Sequence, residues 1–274
     1  MYEDMNRSVP DVSGYLERIG LRSFGRADLD GLDELIWRHH THVPFEDLDS
    51  SYLRRPVALD IPALYDKVVT RRRGGYCYEL NGLFTRLLLD LGYDARSVFC
   101  RIIRGRDFLP PCTHRGIVVA LGGRLWYCDV GYGGPMPAGA LPLEDGYSAD
   151  VRGERFHVER WDEYWWTLSR TTSAGAREKL MQFNTFPQLP QEFLAANLKG
   201  ATDPESIFVF RVLLNLRTER GSLSVTGDEF TCREGTESVT TKIADDAQFR
   251  TILAERFGIA GLDPAPVPFE RLAH

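Results

Sequence analysis

Residues 73–92 read RGGYCYELNGLFTRLLLDLG, and this stretch decides the fold. A thiol follows two glycines and opens a helix predicted from Cys77 to about Leu91. Leu80, Leu83, Phe84, Leu87 and Leu88 recur at i, i+3, i+4, i+7 and i+8, which makes one core-facing stripe, and Gly92 ends the helix. At a helix start, unpaired backbone N–H groups and the helix dipole stabilise negative charge, so a thiolate at Cys77 is favoured. The two glycines let a substrate come close to the sulfur. A small buried residue beneath a helix start is the competing reading, and the segment alone does not separate the two.

Towards the N-terminus the pattern stays helical. Asp11 is expected to cap a helix over SGYLERIGL, Asp28 or Asp30 one over LDELIWRHHTH, and Asp60 one over IPALYDKVVTRR, with Pro62 tolerated in its first turn. Beyond Gly92 the runs shorten and become rich in Val, Ile, Phe, Tyr and Trp: ARSVFCRII, RGIVVAL, RLWYCDV, ERFHVERW and EYWWTLSR, all predicted strands. A further antiparallel set, SIFVFRVLLNL, SLSVTG and EFTCREG, precedes a helix from about Asp245 to Phe257 and a Pro-rich tail. The class is α+β. Pro187 to Glu205 is the least patterned stretch and the candidate boundary, and there is no repeat.

A chain of 274 residues exceeds one average core, so two or three packed subdomains are expected. With 43% apolar and 26% charged residues the composition is that of a soluble globular protein, and no apolar run approaches the ~18 residues that span a bilayer. The opening MYEDMNRSVPDVSG carries acidic residues where a secretory leader needs basic ones, which points to the cytoplasm. A net charge of −6, with Arg71, Arg72 and Arg73 the only basic run, argues against nucleic acid as a partner. The five cysteines, at 77, 100, 112, 128 and 232, are widely spaced and include no C-x-x-C pair, so reduced thiols are expected and neither a disulfide framework nor a metal site.

A register count brings in a histidine and a carboxylate. If Gly122 and Gly123 form a two-residue hairpin loop, Leu121 pairs with Arg124, His114 with Gly131 and Gly116 with Asp129. Side chains alternate with period two, so His114 and Asp129 then share a face as diagonal neighbours, about 7 to 8 Å apart at Cα. A three-residue loop would place them on opposite faces. A carboxylate beside an imidazole fixes its tautomer and favours its charged form, which leaves the other ring nitrogen for a thiol. The alternative is a strand histidine that is merely hydrogen-bonded. His39, His40 and His42 read as a solvated helix end, and His157 has no nameable partner. Asp129 opens DVGYGGP, whose glycines expose N–H groups able to cradle a phosphate or carbonyl, although an ordinary loop explains them as well.

Together these segments resemble the arylamine N-acetyltransferase family, on RGGYCYELN at 73–81, YLERIG at 15–20, VPFEDLD at 43–49, Thr113 with His114, and DVGYGG at 129–134. The motifs cover the first half in order; the second half matches only through its aromatic and strand pattern around Phe208. The resemblance implies an N-terminal helical bundle (1–92) carrying the nucleophile, a central β-barrel (93–190) carrying His and Asp, and an interdomain segment with an α/β lid (191–274), around a cysteine-protease-like catalytic core. It implies Cys77, His114 and Asp129 as catalytic residues. Thr113, Gly131, Tyr132, Gly133 and Phe208 would line the coenzyme A and acceptor cleft, with Phe45 on the acceptor side. Arg73 and Glu46 would form a buried charge pair bracing the loop before Cys77.

The implied reaction carries an acetyl group from acetyl-CoA, as donor substrate and with no permanently bound cofactor, to a small aromatic amine or hydrazine. Asp47 stands where Asn is usual, and Tyr78 and Tyr132 where Phe is common, so the added hydroxyls bear on acceptor preference. The same three residues in the same order also serve cysteine hydrolases and transglutaminase-like enzymes, and a binding protein could retain the fold without turnover.

Overall fold

The computed structural model describes residues 2–266 and 269. Helices Val12–Arg18, Leu29–His42 and Cys77–Asp90 form one layer, joined by Ile61–Tyr65, which runs on as a wider π turn over Asp66–Thr70. Asp28 and Asp60 cap as their positions suggest, accepting from the N–H of Gly31 at 3.0 Å and of Ala63 at 2.9 Å. Asp11 occupies the N-cap of Val12–Arg18, but its side chain makes no capping bond. The helix Cys77–Asp90 is central. Its five-residue stripe is fully buried, its first turns are buried on every side, and Gly92 terminates it with φ at 92°.

Eight antiparallel strands form a near-closed barrel in the order Leu141–Pro142, Arg124–Cys128, His114–Leu121, Asp94–Ile102, Arg177–Asn184, Trp165–Thr171, Glu154–Arg160, Tyr147–Val151. Alternation divides its side chains between two cores. Val98, Val118, Tyr127, Phe156, Leu168 and Phe183 fill the barrel, whereas Ala95, Ile117, Val119 and Cys128 pack against the helices. A five-stranded sheet follows in the order Phe45–Glu46, Leu213–Arg217, Gly221–Thr226, Glu229–Glu234, Glu237–Lys242. Helix Asp246–Phe257 buries Phe249, Leu253 and Phe257 against it. Its first strand comes from the helical region, so Phe45 is hydrogen-bonded into the later sheet while Glu46 N–H bonds the carbonyl of Gly75 at 2.9 Å.

Three expectations need correction. SIFVFRVLLNL is not one strand: Ser206 accepts from Phe208 N–H, Ile207–Phe210 is a helical turn, and pairing starts at Leu213. The unpatterned stretch before Glu205 contains helix Leu194–Thr202, which has no buried apolar stripe to signal it, since only Asn197 within it is buried. Strands Tyr147–Val151, Arg177–Asn184 and Glu237–Lys242 were not anticipated; the last is exposed along its whole length and so carries no apolar alternation. Part of the Pro-rich tail lies outside the described residues. All five cysteines are free, and among the described residues no helix is long and apolar enough to cross a membrane.

Candidate active site

Gly122 and Gly123 have φ of 60° and 74°, the left-handed pair that a tight two-residue hairpin requires. Pairing therefore runs from Leu121 with Arg124 to Ile117 with Cys128. His114 and Asp129 continue the barrel-facing sets of their strands, and His114 Nε2 lies 2.5 Å from Asp129 Oδ2.

Every acceptor position of that carboxylate is used. Oδ2 also accepts from the Tyr127 hydroxyl at 2.9 Å, while Oδ1 accepts from Asn81 Nδ2 and from Gly131 N–H, both at 2.8 Å. Burial alone would push Asp129 up, but His114, Asn81 and the Gly131 N–H reverse this and hold it below the usual carboxylate range. Burial likewise opposes the charged form of His114. The neighbouring charges of Asp129 and Cys77, with the hydrogen bond to Asp129, outweigh it and push the ring up to about 10. At neutral pH the imidazole is protonated, with Asp129 on Nε2.

Cys77 is the first residue of its helix. Tyr76 precedes it, and Tyr76 N–H donates to Glu79 at 3.0 Å, tying down the helix start. The Gly131 backbone passes so near that a Cβ there would lie 2.8 Å from Cys77 Cα, and a Cβ on Gly133 would lie 2.6 Å from the Phe45 ring. These glycines are required by close approach, since neither has a positive φ.

A cleft of about 1360 Å3 opens over the sulfur. Cys77, His114, Thr113, Gly131, Tyr132, Gly133, Phe45 and Phe208 all line it, and Asp129 sits behind the histidine. The Phe45 and Phe208 rings are 6.4 Å apart, and Tyr132 meets His114 edge-on at 5.7 Å. The walls hold eight arginines, among them Arg104, Arg152, Arg217 and Arg233, against three carboxylates, Asp150, Glu154 and Glu219. Locally positive walls in a chain of net charge −6 suit an anionic ligand. The arginines come from separate strands and turns, so no basic run announces them.

Arg73 and Glu46 meet, Nη2 to Oε1 at 2.8 Å, within a larger group. Arg73 also bonds Asp49 at 2.8 Å, and Lys67, the second residue of the π turn, bonds Asp49 at 2.6 Å and Glu79 at 2.7 Å. Burial pushes Glu79 up to about 7 in spite of Lys67.

The histidine trio is not a solvated helix end. His39 is fully buried, bonded to the Tyr15 hydroxyl at 3.1 Å and edge-on to Phe84. His40 is half-buried, lines the cleft and bonds the Asp129 carbonyl at 2.8 Å; burial pushes it down to about 4, so it is neutral. His157 pairs with Thr171 at 2.8 Å. Sequence reading also missed the parts played by Asn81 and Tyr127. Asn81 lies one helical turn beyond Cys77 and Tyr127 two residues before Asp129, spacings that place each on its neighbour's face.

An N-acetyltransferase family model matches residues 28–263. The chain is 31% identical over 261 residues to the arylamine N-acetyltransferase of Escherichia coli, covering 94% of this chain and 91% of that one. Among solved structures, the Mycobacterium smegmatis arylamine N-acetyltransferase superimposes with a TM-score of 0.88 at 31% identity, covering 96% of this chain and 97% of that one. The Mycobacterium marinum arylamine N-acetyltransferase in complex with CoA gives 0.84 at 29% identity, with the same shares covered. From the barrel register to the helix that presents Cys77, and across nearly the whole length, this chain belongs to the arylamine N-acetyltransferase family and is an acyltransferase.

Proposed function

We propose that this enzyme transfers the acetyl group of acetyl-CoA to arylamines, arylhydrazines or N-hydroxyarylamines in two half-reactions through an acetyl thioester on Cys77. The observation that carries the reading is the buried His114, bonded to a fully satisfied Asp129 and lining one cleft with Cys77. In this scheme His114 starts protonated and the Cys77 sulfur acts as the thiolate. Thiolate Cys77 attacks the acetyl carbonyl, the bond to the coenzyme A sulfur breaks, and His114 gives its proton to that leaving sulfur. The amine then attacks acetyl-Cys77, neutral His114 takes the amine proton, and the Cys77 thiolate departs with the pair restored. N–H groups at the helix start stabilise the oxyanion.

Relatives support the arylamine and N-hydroxyarylamine classes and the coenzyme. The Salmonella typhimurium relative is an arylamine N-acetyltransferase and N-hydroxyarylamine O-acetyltransferase, and the Mycobacterium marinum one binds CoA. Here the arginine-lined walls suit the coenzyme's phosphates, with Thr113, Gly131, Tyr132, Gly133 and Phe208 bordering the thioester and Phe45 on the acceptor side. An arylamine is uncharged at neutral pH and can stack on these rings.

Intact-protein mass after exposure to acetyl-CoA alone should rise by one acetyl group, localised to Cys77 and discharged by an added aniline. No adduct in wild type, or an adduct surviving in Cys77→Ala, contradicts the scheme. Faster hydrolysis of glutamine or peptide amides than amine acetylation would select the hydrolase alternative.

A further inference from the structure

Arg115 follows His114, and alternation sends its side chain to the opposite face, between the barrel and the Cys77–Asp90 helix. It is 3% exposed. Nε donates to Ser97 Oγ at 2.9 Å, Nη1 to the Tyr78 carbonyl at 3.4 Å, and the guanidinium lies 4.6 Å from the Phe193 ring centre. The helix leaves a notch for it: a Cβ on Gly82 would lie 2.7 Å from Nη1.

A buried cation is ordinarily paired or saturated with acceptors. Arg73 and Lys67 have their carboxylates, and buried Arg18 donates to the carbonyls of His42, Val68, Arg72 and Arg73. Arg115 has neither: among the described residues it makes no salt bridge, its one carbonyl contact is long, and it sits against the first turn of the nucleophile helix. Burial opposes its charged form, and Cys77 is the ionisable neighbour that favours it.

We propose that Arg115 is a positioning residue that supplies the second positive charge of the site, stabilising the anionic form of Cys77 alongside His114. The inference rests on Cys77 being the nucleophile. The charges acting around Cys77 come from His114, itself paired with Asp129, on its strand, from Tyr76 and Tyr78 on the helix and from Cys100 on the adjacent strand; Cys112 of the preceding loop acts on Tyr78 and Cys100. Burial pushes Tyr76, Tyr78 and Cys100 upwards, so all three are neutral at neutral pH, and the two cations are the charges left around the nucleophile.

The test is the pH profile of Cys77 alkylation by iodoacetamide, followed by peptide mass so that the other thiols do not interfere, in wild type, Arg115→Gln, Arg115→Lys and Gly82→Ala. Arg115→Gln should move the acid limb up by about one pH unit, about tenfold slower labelling below the wild-type limb. Arg115→Lys should keep the limb near wild type. Gly82→Ala retains every charge but pushes Nη1 aside; a smaller upward move is expected, and this variant decides the matter if Arg115→Gln does not fold. An unmoved limb in folded Arg115→Gln, or in Gly82→Ala in its absence, overturns the proposal, as does a move in Arg115→Lys equal to that in Arg115→Gln. A wild-type limb near the ordinary thiol value of about 8.5 would instead sink the thiolate–imidazolium starting state, while an acetyl adduct on Cys77 would still uphold the nucleophile.

Discussion

Asn81 joins the helix to the carboxylate: its Nδ2 donates to Asp129 Oδ1 at 2.8 Å, and its Oδ1 accepts from Val130 N–H at 2.8 Å. The residue one turn beyond Cys77 thus holds the group that orients His114. Asn81→Ala removes a donor from Asp129 and orphans the Val130 N–H. A hydrogen bond to a charge contributes about 1.5–3 kcal/mol. We expect kcat to fall about 10- to 100-fold, with KM for acetyl-CoA changed far less. Steady-state kinetics showing less than a twofold fall would refute the orienting role.

The charge group before Cys77 balances three carboxylates, Glu46, Asp49 and Glu79, against two cations, Arg73 and Lys67. Lys67→Met should cost about 3–5 kcal/mol in urea unfolding, because it strands buried carboxylates. Adding Glu79→Gln to Lys67→Met should recover part of that loss, since Glu79 is the carboxyl already pushed up to about 7 by burial. Strictly additive losses in the double-mutant cycle would show the two residues to be independent.

Asp47 Oδ1 accepts from Leu213 N–H at 2.9 Å and Ser51 Oγ at 2.8 Å, while Oδ2 has no partner among the described residues. Burial, the largest influence, raises Asp47 well above the ordinary carboxyl range. A carboxyl raised on folding binds its proton more tightly in the native state, so its contribution falls as pH climbs above the unfolded value. Asp47→Asn should lack that decline. The melting-temperature advantage of the variant should grow as pH rises above the ordinary carboxyl range; a constant difference would mean that Asp47 does not titrate anomalously.

His114 carries the same sign with respect to rising pH. Its folded value of about 10 exceeds the ordinary 6.5, so its stabilisation is complete below 6.5 and lost as pH rises towards 10. Asp129 is lowered, so its contribution is present above the ordinary carboxyl range and lost as pH falls through it. Chemical unfolding at rising alkaline pH should weaken wild type more steeply than His114→Gln. Parallel slopes would contradict the raised histidine.

Gly131 and Gly133 exclude side chains for different reasons. An alanine at 131 meets the Cys77 backbone at 2.8 Å, whereas one at 133 meets the Phe45 ring at 2.6 Å. Backbone yields less readily than a ring, so Gly131→Ala should slow the acetyl-enzyme step. Gly133→Ala should chiefly raise KM for the arylamine. Single-turnover acetylation separates the two, and equal effects on that step would count against the distinction.

The linear sequence by itself determined the central helix, and it reduced the register of one hairpin to a choice of loop length that the structure settled. Both are local periodicities: a stripe from Leu80 to Leu88, and a Gly122–Gly123 turn whose length sets which faces His114 and Asp129 share. Burial and long-range charge balance were decided only by tertiary structure. His39 looks polar in a polar run yet is enclosed by Tyr15 and Phe84, because layers distant in sequence close over it. Lys67 finds its carboxylates, and the arginines of several separate segments converge on one cleft, through packing that no spacing along the chain encodes.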